Sequence, residues 1–166
     1  MKAQPTLTFL LLLAFGNLLA QENIIYSNKF YESVIFPKSY QLGFFLGEEK
    51  LTNRFTPTIS QAKLADSTLL FKYEETNEKF FGKKSPSRRE SIASSKVNRQ
   101  FVGYINHAGD SIILINLLDF SKRTKSQIKN YFHDWKKNYI IGFGTFYERN
   151  TRKYQFNMRT KEIEFM

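Results

Sequence analysis

The chain has 166 residues, of which 42% are hydrophobic, 16% aromatic and 24% charged, with a formal net charge of +10 and no cysteine. That much apolar and aromatic side chain excludes intrinsic disorder. The absence of cysteine excludes disulfide frameworks, thiolate zinc sites, cysteine nucleophiles and anchoring through a lipidated cysteine.

Met1-Lys2 gives a positive start, Leu7 to Ala20 an apolar run, and Gln21-Glu22-Asn23 a polar exit. This is the three-part pattern of a secretory signal, with cleavage expected near Ala20. A run of about 14 residues reaches only about 21 Å, short of the hydrocarbon core of a bilayer. The expected organisation is a signal peptide at 1–20 and a single α+β domain at 21–166 that carries a basic loop at 76–97. The mature chain is expected to be secreted or periplasmic, with no transmembrane segment after cleavage. Losing Lys2 leaves it a formal charge of +9.

Ile24 to Val34 is mixed in pattern, and the first strand is expected at Tyr40–Leu46. A helix is predicted from Pro57 to about Glu74. Either Thr56 caps it with Pro57 at the first helical position, or Thr58 caps it with Gln61 closing a capping box. Ile59, Ala62, Ala65 or Asp66, Leu69 and Tyr73 recur at helical spacing and mark its apolar face. Residues 76–97 combine Lys79, Lys83, Lys84, Arg88, Arg89 and Lys96 with Gly82, Pro86 and five serines, a loop composition.

Gln100–Asn106 and Ser111–Leu118 flank His107-Ala108-Gly109-Asp110 and read as a hairpin. The second of these strands is apolar at both parities, which places it centrally in a sheet covered on both faces. Thr124 and Gln127 have capping-box spacing ahead of a short helix to Lys137, with Ile128, Tyr131, Phe132 and Trp135 apolar. Tyr139–Tyr147 reads as a strand in which Gly142 and Gly144 signal a bulge or a close approach. Arg152–Met158 and Glu162–Phe165 are expected as a closing strand pair, with Tyr154, Phe156 and Met158 inward and the glutamates guarding the edge. The fold class is α+β: an antiparallel sheet of about five to six strands packed against one long helix, plus a second short helix.

Phe55-Thr56-Pro57-Thr58 opening a helix, then Arg99–Asn106, then Gly109–Asn116, resembles a group of small exported bacterial proteins of unknown function. The likeness extends over residues 55–166. It implies a cystatin-like or NTF2-like α+β fold and brings no catalytic residues with it. The chain departs from that pattern in the 76–97 insertion and in lacking a cysteine near Leu118.

The chemistry on offer is sparse. His107 and Asp110 share one loop, but a metal needs three or four ligands, and the other histidine, His133, lies on the second helix. His133 and Asp134 are adjacent, so on a helix they diverge by about 100°. Gly142-Phe143-Gly144 lies inside an expected strand rather than at a strand-to-helix turn, so it is no phosphate loop. No metal or other cofactor is expected. The candidate binding surface comprises His107, Asp110, Tyr139, Phe143, Tyr147, Lys83, Lys84, Arg88 and Arg89, with a second basic patch at Lys122, Arg123, Lys125, Lys129, Lys136 and Lys137.

The leading expectation is an exported, non-catalytic binding module for a protein or an anionic envelope ligand. The alternatives are a small ribonuclease-like hydrolase, or a protein held to the envelope by its positive charge. Export puts genomic nucleic acid out of reach, so it is not the expected partner.

Overall fold

A computed structural model describes residues 22–42, 52–81 and 96–166. The expected signal peptide and most of the basic loop lie outside the described residues, as does most of the strand expected at Tyr40–Leu46. Its described part, Tyr40 to Leu42, is not extended into a sheet.

The elements are β1 (Ile24–Ser27), β2 (Glu32–Ile35), β3 (Arg54–Phe55), α1 (Ile59–Phe81), β4 (Val97–Ile105), β5 (Ser111–Asp119), α2 (Lys125–Tyr131), α3 (Thr145–Asn150), β6 (Thr151–Asn157) and β7 (Ile163–Phe165). They form an α+β fold with one open sheet of seven strands in the order β1-β2-β4-β5-β6-β7. β3 continues the β2 side of β4, pairing Phe55 with Gly103. Every pairing is antiparallel except β2 with β4, which is parallel.

The β4–β5 hairpin is the spine, in register from Val97↔Asp119 to Ile105↔Ser111. β5 is buried from Ile112 to Leu118, as its double-sided apolar pattern predicts. One face of the sheet, with Phe101, Ile113, Ile115, Tyr154 and Phe156, packs under Ala62, Ala65, Leu69 and Tyr73 of α1. The other face, with Val102, Leu114 and Leu118, is covered by Phe120, Phe132, Trp135, Tyr139 and Ile140.

At the start of α1 the Thr58–Gln61 box forms, with Gln61 N donating to Thr58 Oγ1 and Thr58 N to Gln61 Oε1. Thr56 Oγ1 is used elsewhere, by Lys38 N. The helix runs past Glu74, so residues 76–81 are not loop. Buried Asn77 receives the Tyr154 hydroxyl, and the Phe80 ring meets Phe165 with centroids 4.3 Å apart. These contacts with β6 and β7 hold the last two turns, on the face that Tyr73 begins, and the polar Asn77 interrupts its apolar stripe.

Three further expectations are corrected. The mixed segment at Ile24–Val34 forms β1 and β2. The second helix stops at Tyr131 rather than Lys137, although its Thr124–Gln127 box is present. Most consequentially, Tyr139–Tyr147 is not a strand: residues 138–144 are irregular and α3 follows. The main chain here bonds to side chains instead of a neighbouring strand. Gln100 Nε2 donates to Trp135 O at 2.6 Å and Asn138 O at 2.8 Å, and its Oε1 accepts from Ile140 N at 2.9 Å. Asn116 Nδ2 donates to Ile140 O at 3.0 Å, and the Tyr40 hydroxyl accepts from Tyr139 N. Buried amides on β4 and β5 thus stand in for a ladder and lay the segment across the sheet. The close approach signalled by the glycines is real. A Cβ on Gly142 would lie 2.3 Å from the Tyr147 ring, and Gly144 has φ +87°.

On the α1 side a charged pair is enclosed. Arg99 of β4 is fully buried and its Nε lies 3.0 Å from Asp66 Oδ1 of α1. The Tyr31 hydroxyl donates to the other oxygen of Asp66, and the Tyr31 ring covers the guanidinium at 3.6 Å. Burial, and then the Asp66 charge, push the Tyr31 hydroxyl well above its ordinary range.

Candidate functional site

The residues expected to form a binding surface do not converge. His107 is exposed on the β4–β5 loop, beside a shallow hollow of about 450 Å³ with Asn53, Asn106 and Gly109. Asp110 is buried and serves the fold: Arg159 Nη2 and Asn157 Nδ2 each approach Oδ2 at 2.9 Å, and Arg159 Nε takes Oδ1. Those hydrogen bonds hold its carboxyl below the usual carboxylate range. Tyr139 is buried edge-on against Phe36, and burial pushes its hydroxyl up. Phe143 is 70% exposed, whereas Tyr147 turns inward and donates its hydroxyl to Tyr131 O. Lys83, Lys84, Arg88 and Arg89 lie outside the described residues.

The two histidines sit at opposite ends of the hairpin. His107 follows β4, while His133 adjoins Phe132, whose ring packs on Phe120 just beyond β5. Nine residues of strand separate those ends, a span of about 30 Å. His133 Nε2 does reach Asp134 Oδ2 at 3.2 Å, contrary to the divergence expected on a helix. The chain has already left α2 there, and Asp134 has φ +51°. Both side chains are solvated, and no group of three or more potential metal ligands occurs among the described residues.

The basic residues after β5 are the ones that the fold collects. A hollow of about 540 Å³ opens where β5 ends and α3 passes into β6, and Lys122, Arg123, Arg149 and Arg152 line it together with Asp119 and Glu148. Lys136, from the same expected patch, is turned away and pairs with Glu32 at 2.6 Å.

The α3–β6 junction gives the hollow its rigidity. Three consecutive side chains close the last turn of α3: Asn150 Nδ2 to Phe146 O, Thr151 Oγ1 to Tyr147 O, and Arg152 Nη1 to Glu148 O. These bonds satisfy carbonyls that a helix end leaves open. They also fix the Asn150 amide, whose residue is 3% exposed, so that its Oδ1 remains buried without a hydrogen-bond partner. The Nε of Arg123 is likewise buried and unpartnered, while its guanidinium lies 5.9 Å from the Phe146 ring centroid. A buried acceptor and a buried donor left unmatched on two residues of one lining are costly unless something else satisfies them.

Sequence reasoning found Lys122 and Arg123 and missed Arg149, Asn150 and Arg152. The one available signal was the polar run Glu148–Arg152 behind an aromatic segment. No protein-family model, curated protein or solved structure matches this chain. None of the described helices is long and apolar enough to cross a membrane.

Proposed function

We propose that this protein is an exported, non-catalytic binding module whose ligand is anionic and occupies the hollow between the end of β5 and the α3–β6 junction. The observation that carries this reading is the convergence of four cations on one rigid hollow in which Arg123 Nε has no partner of its own. A negatively charged oxygen would pair with that guanidinium, and charge-assisted hydrogen bonds are about twice as strong as neutral ones. A binding role is favoured over hydrolysis because no histidine lines this hollow. Export rests on the N-terminal pattern, and the same reading keeps the likeness to exported cystatin-like or NTF2-like proteins, which rests on the sequence pattern at 55–166.

The test is titration of the purified protein with a panel of polyanions, comparing wild type with Lys122→Glu/Arg149→Glu, two exposed positions. At least one anion is expected to bind the wild type and to lose about tenfold or more in the variant, with the far-UV spectrum unchanged. Equal affinities in the two proteins would refute the reading. The ionic-strength dependence separates this site from diffuse attraction to a charged envelope. Binding centred on a half-buried guanidinium persists at about 0.15 M salt, where attraction between exposed charges is largely screened.

A further inference from the structure

The basic hollow continues beyond its own rim. Arg123 also lines a second hollow of about 490 Å³, between the β1–β2 turn and the start of α2. Its cations are Lys29, Lys96 and Lys125, and the ring of Phe30 is 49% exposed beside them. The carboxylate in that lining, Glu32, is held by Lys136. The two hollows share the Arg123 side chain, so their cations adjoin as a basic track at one end of the sheet. A chain-like anion gains more from such a track than a small one, because the later units bind at high effective concentration once the first has bound.

The lining of the first hollow says what kind of chain fits. It sets acceptors among its cations, Asp119 and Glu148. A string of phosphates carries acceptors alone, so it meets the two carboxylates with repulsion and offers them no donor. A nucleic-acid strand stacks successive bases on successive ring faces, and the two linings together offer one exposed ring, Phe30, since Tyr73 and Phe120 are 3% and 8% exposed and the Tyr31 ring covers Arg99. A sugar acid presents hydroxyl donors beside a carboxylate and matches both halves of the lining.

Resting on the anion-binding reading above, we infer that the track takes an acidic polysaccharide. A hydroxylated, carboxylate-bearing sugar sits between Arg123 and Glu148, and the next units lie over Lys29, Lys125 and the ring of Phe30.

The experiment is calorimetric titration of the purified protein, at about 0.15 M salt, with an alginate hexasaccharide, an alginate disaccharide, linear polyphosphate of matched charge and a single-stranded oligoribonucleotide. The hexasaccharide is expected to bind about tenfold or more tightly than polyphosphate or RNA. The second-hollow variant Lys29→Gln/Lys125→Gln is expected to lose about tenfold for the hexasaccharide and nothing for the disaccharide. Polyphosphate or RNA binding as tightly as alginate would overturn the polysaccharide inference and leave the anion site standing. Unchanged hexasaccharide affinity in the double variant would overturn the track. If no probe binds at any salt concentration, the inference and the reading beneath it fall together.

Discussion

Replacing Gln100 by leucine tests how the segment in front of α3 is held. Gln100 is fully buried and uses both of its amide protons and its oxygen on that segment. Leucine has a similar volume but leaves Trp135 O, Asn138 O and Ile140 N without these partners. Asn116 Nδ2 loses one of its two acceptors and keeps Ile140 O. The buried Trp135 O and Ile140 N at about 1 to 2 kcal/mol each and the part-exposed Asn138 O at about 1 kcal/mol, less about 1 kcal/mol for the extra apolar burial, give a net loss of about 3 kcal/mol. With a urea dependence of about 2 kcal/mol per molar, the midpoint should fall by about 1.5 M. Trp135 is the only tryptophan and lies within the segment, so its fluorescence reports the release locally, while far-UV dichroism follows the sheet. The fluorescence transition is expected to precede the dichroism transition in the variant. A midpoint shift below about 0.3 M, with the two transitions coincident, would refute the reasoning. It would mean that burial of Trp135, Tyr139 and Ile140 alone keeps the segment in place.

Two other perturbations bear on the same framework. Gly142→Ala puts a methyl group into the base of the Tyr147 ring, whose hydroxyl is tied to Tyr131 O. A loss of about 2 kcal/mol in thermal or urea unfolding is expected, and a neutral result would show that α3 shifts freely. Asp110 has a depressed folded pKa, so its contribution is complete above the unfolded value of about 3.9 and disappears as pH falls through the folded value. Wild type should therefore melt above Asp110→Asn at neutral pH, with the gap closing below about pH 4. A gap that stays constant across that range would assign the effect to shape rather than charge.

The long helix, the hairpin and the closing strand pair were legible because each announces itself within a few residues. Thr58 and Gln61 lie three apart, β5 is apolar at both parities, and Tyr154 and Phe156 alternate with polar neighbours. β1 and β2 were not legible. They are four residues each, and the parallel pairing of β2 to β4 joins Ser33 to Arg99 across more than sixty positions. Tyr139–Tyr147 misled for a different reason. Its aromatic and β-branched content does favour extended chain, but Gln100 and Asn116 supply the hydrogen bonds that would otherwise require a strand.

The same division runs through the candidate site. Local pattern determined the class of the fold, the capped starts of α1 and α2, the central place of β5 and an excess of positive charge. Nothing local says where that charge collects. Arg123 and Arg152 meet because β5 and β6 are neighbours, and Asn150 keeps an idle oxygen because its nitrogen closes a six-residue helix. Periodicity reports which face of an element is apolar, since that depends on near neighbours in the chain. A site is a meeting of side chains from several elements, so its composition depends on strand order and on which polar groups the fold has already used.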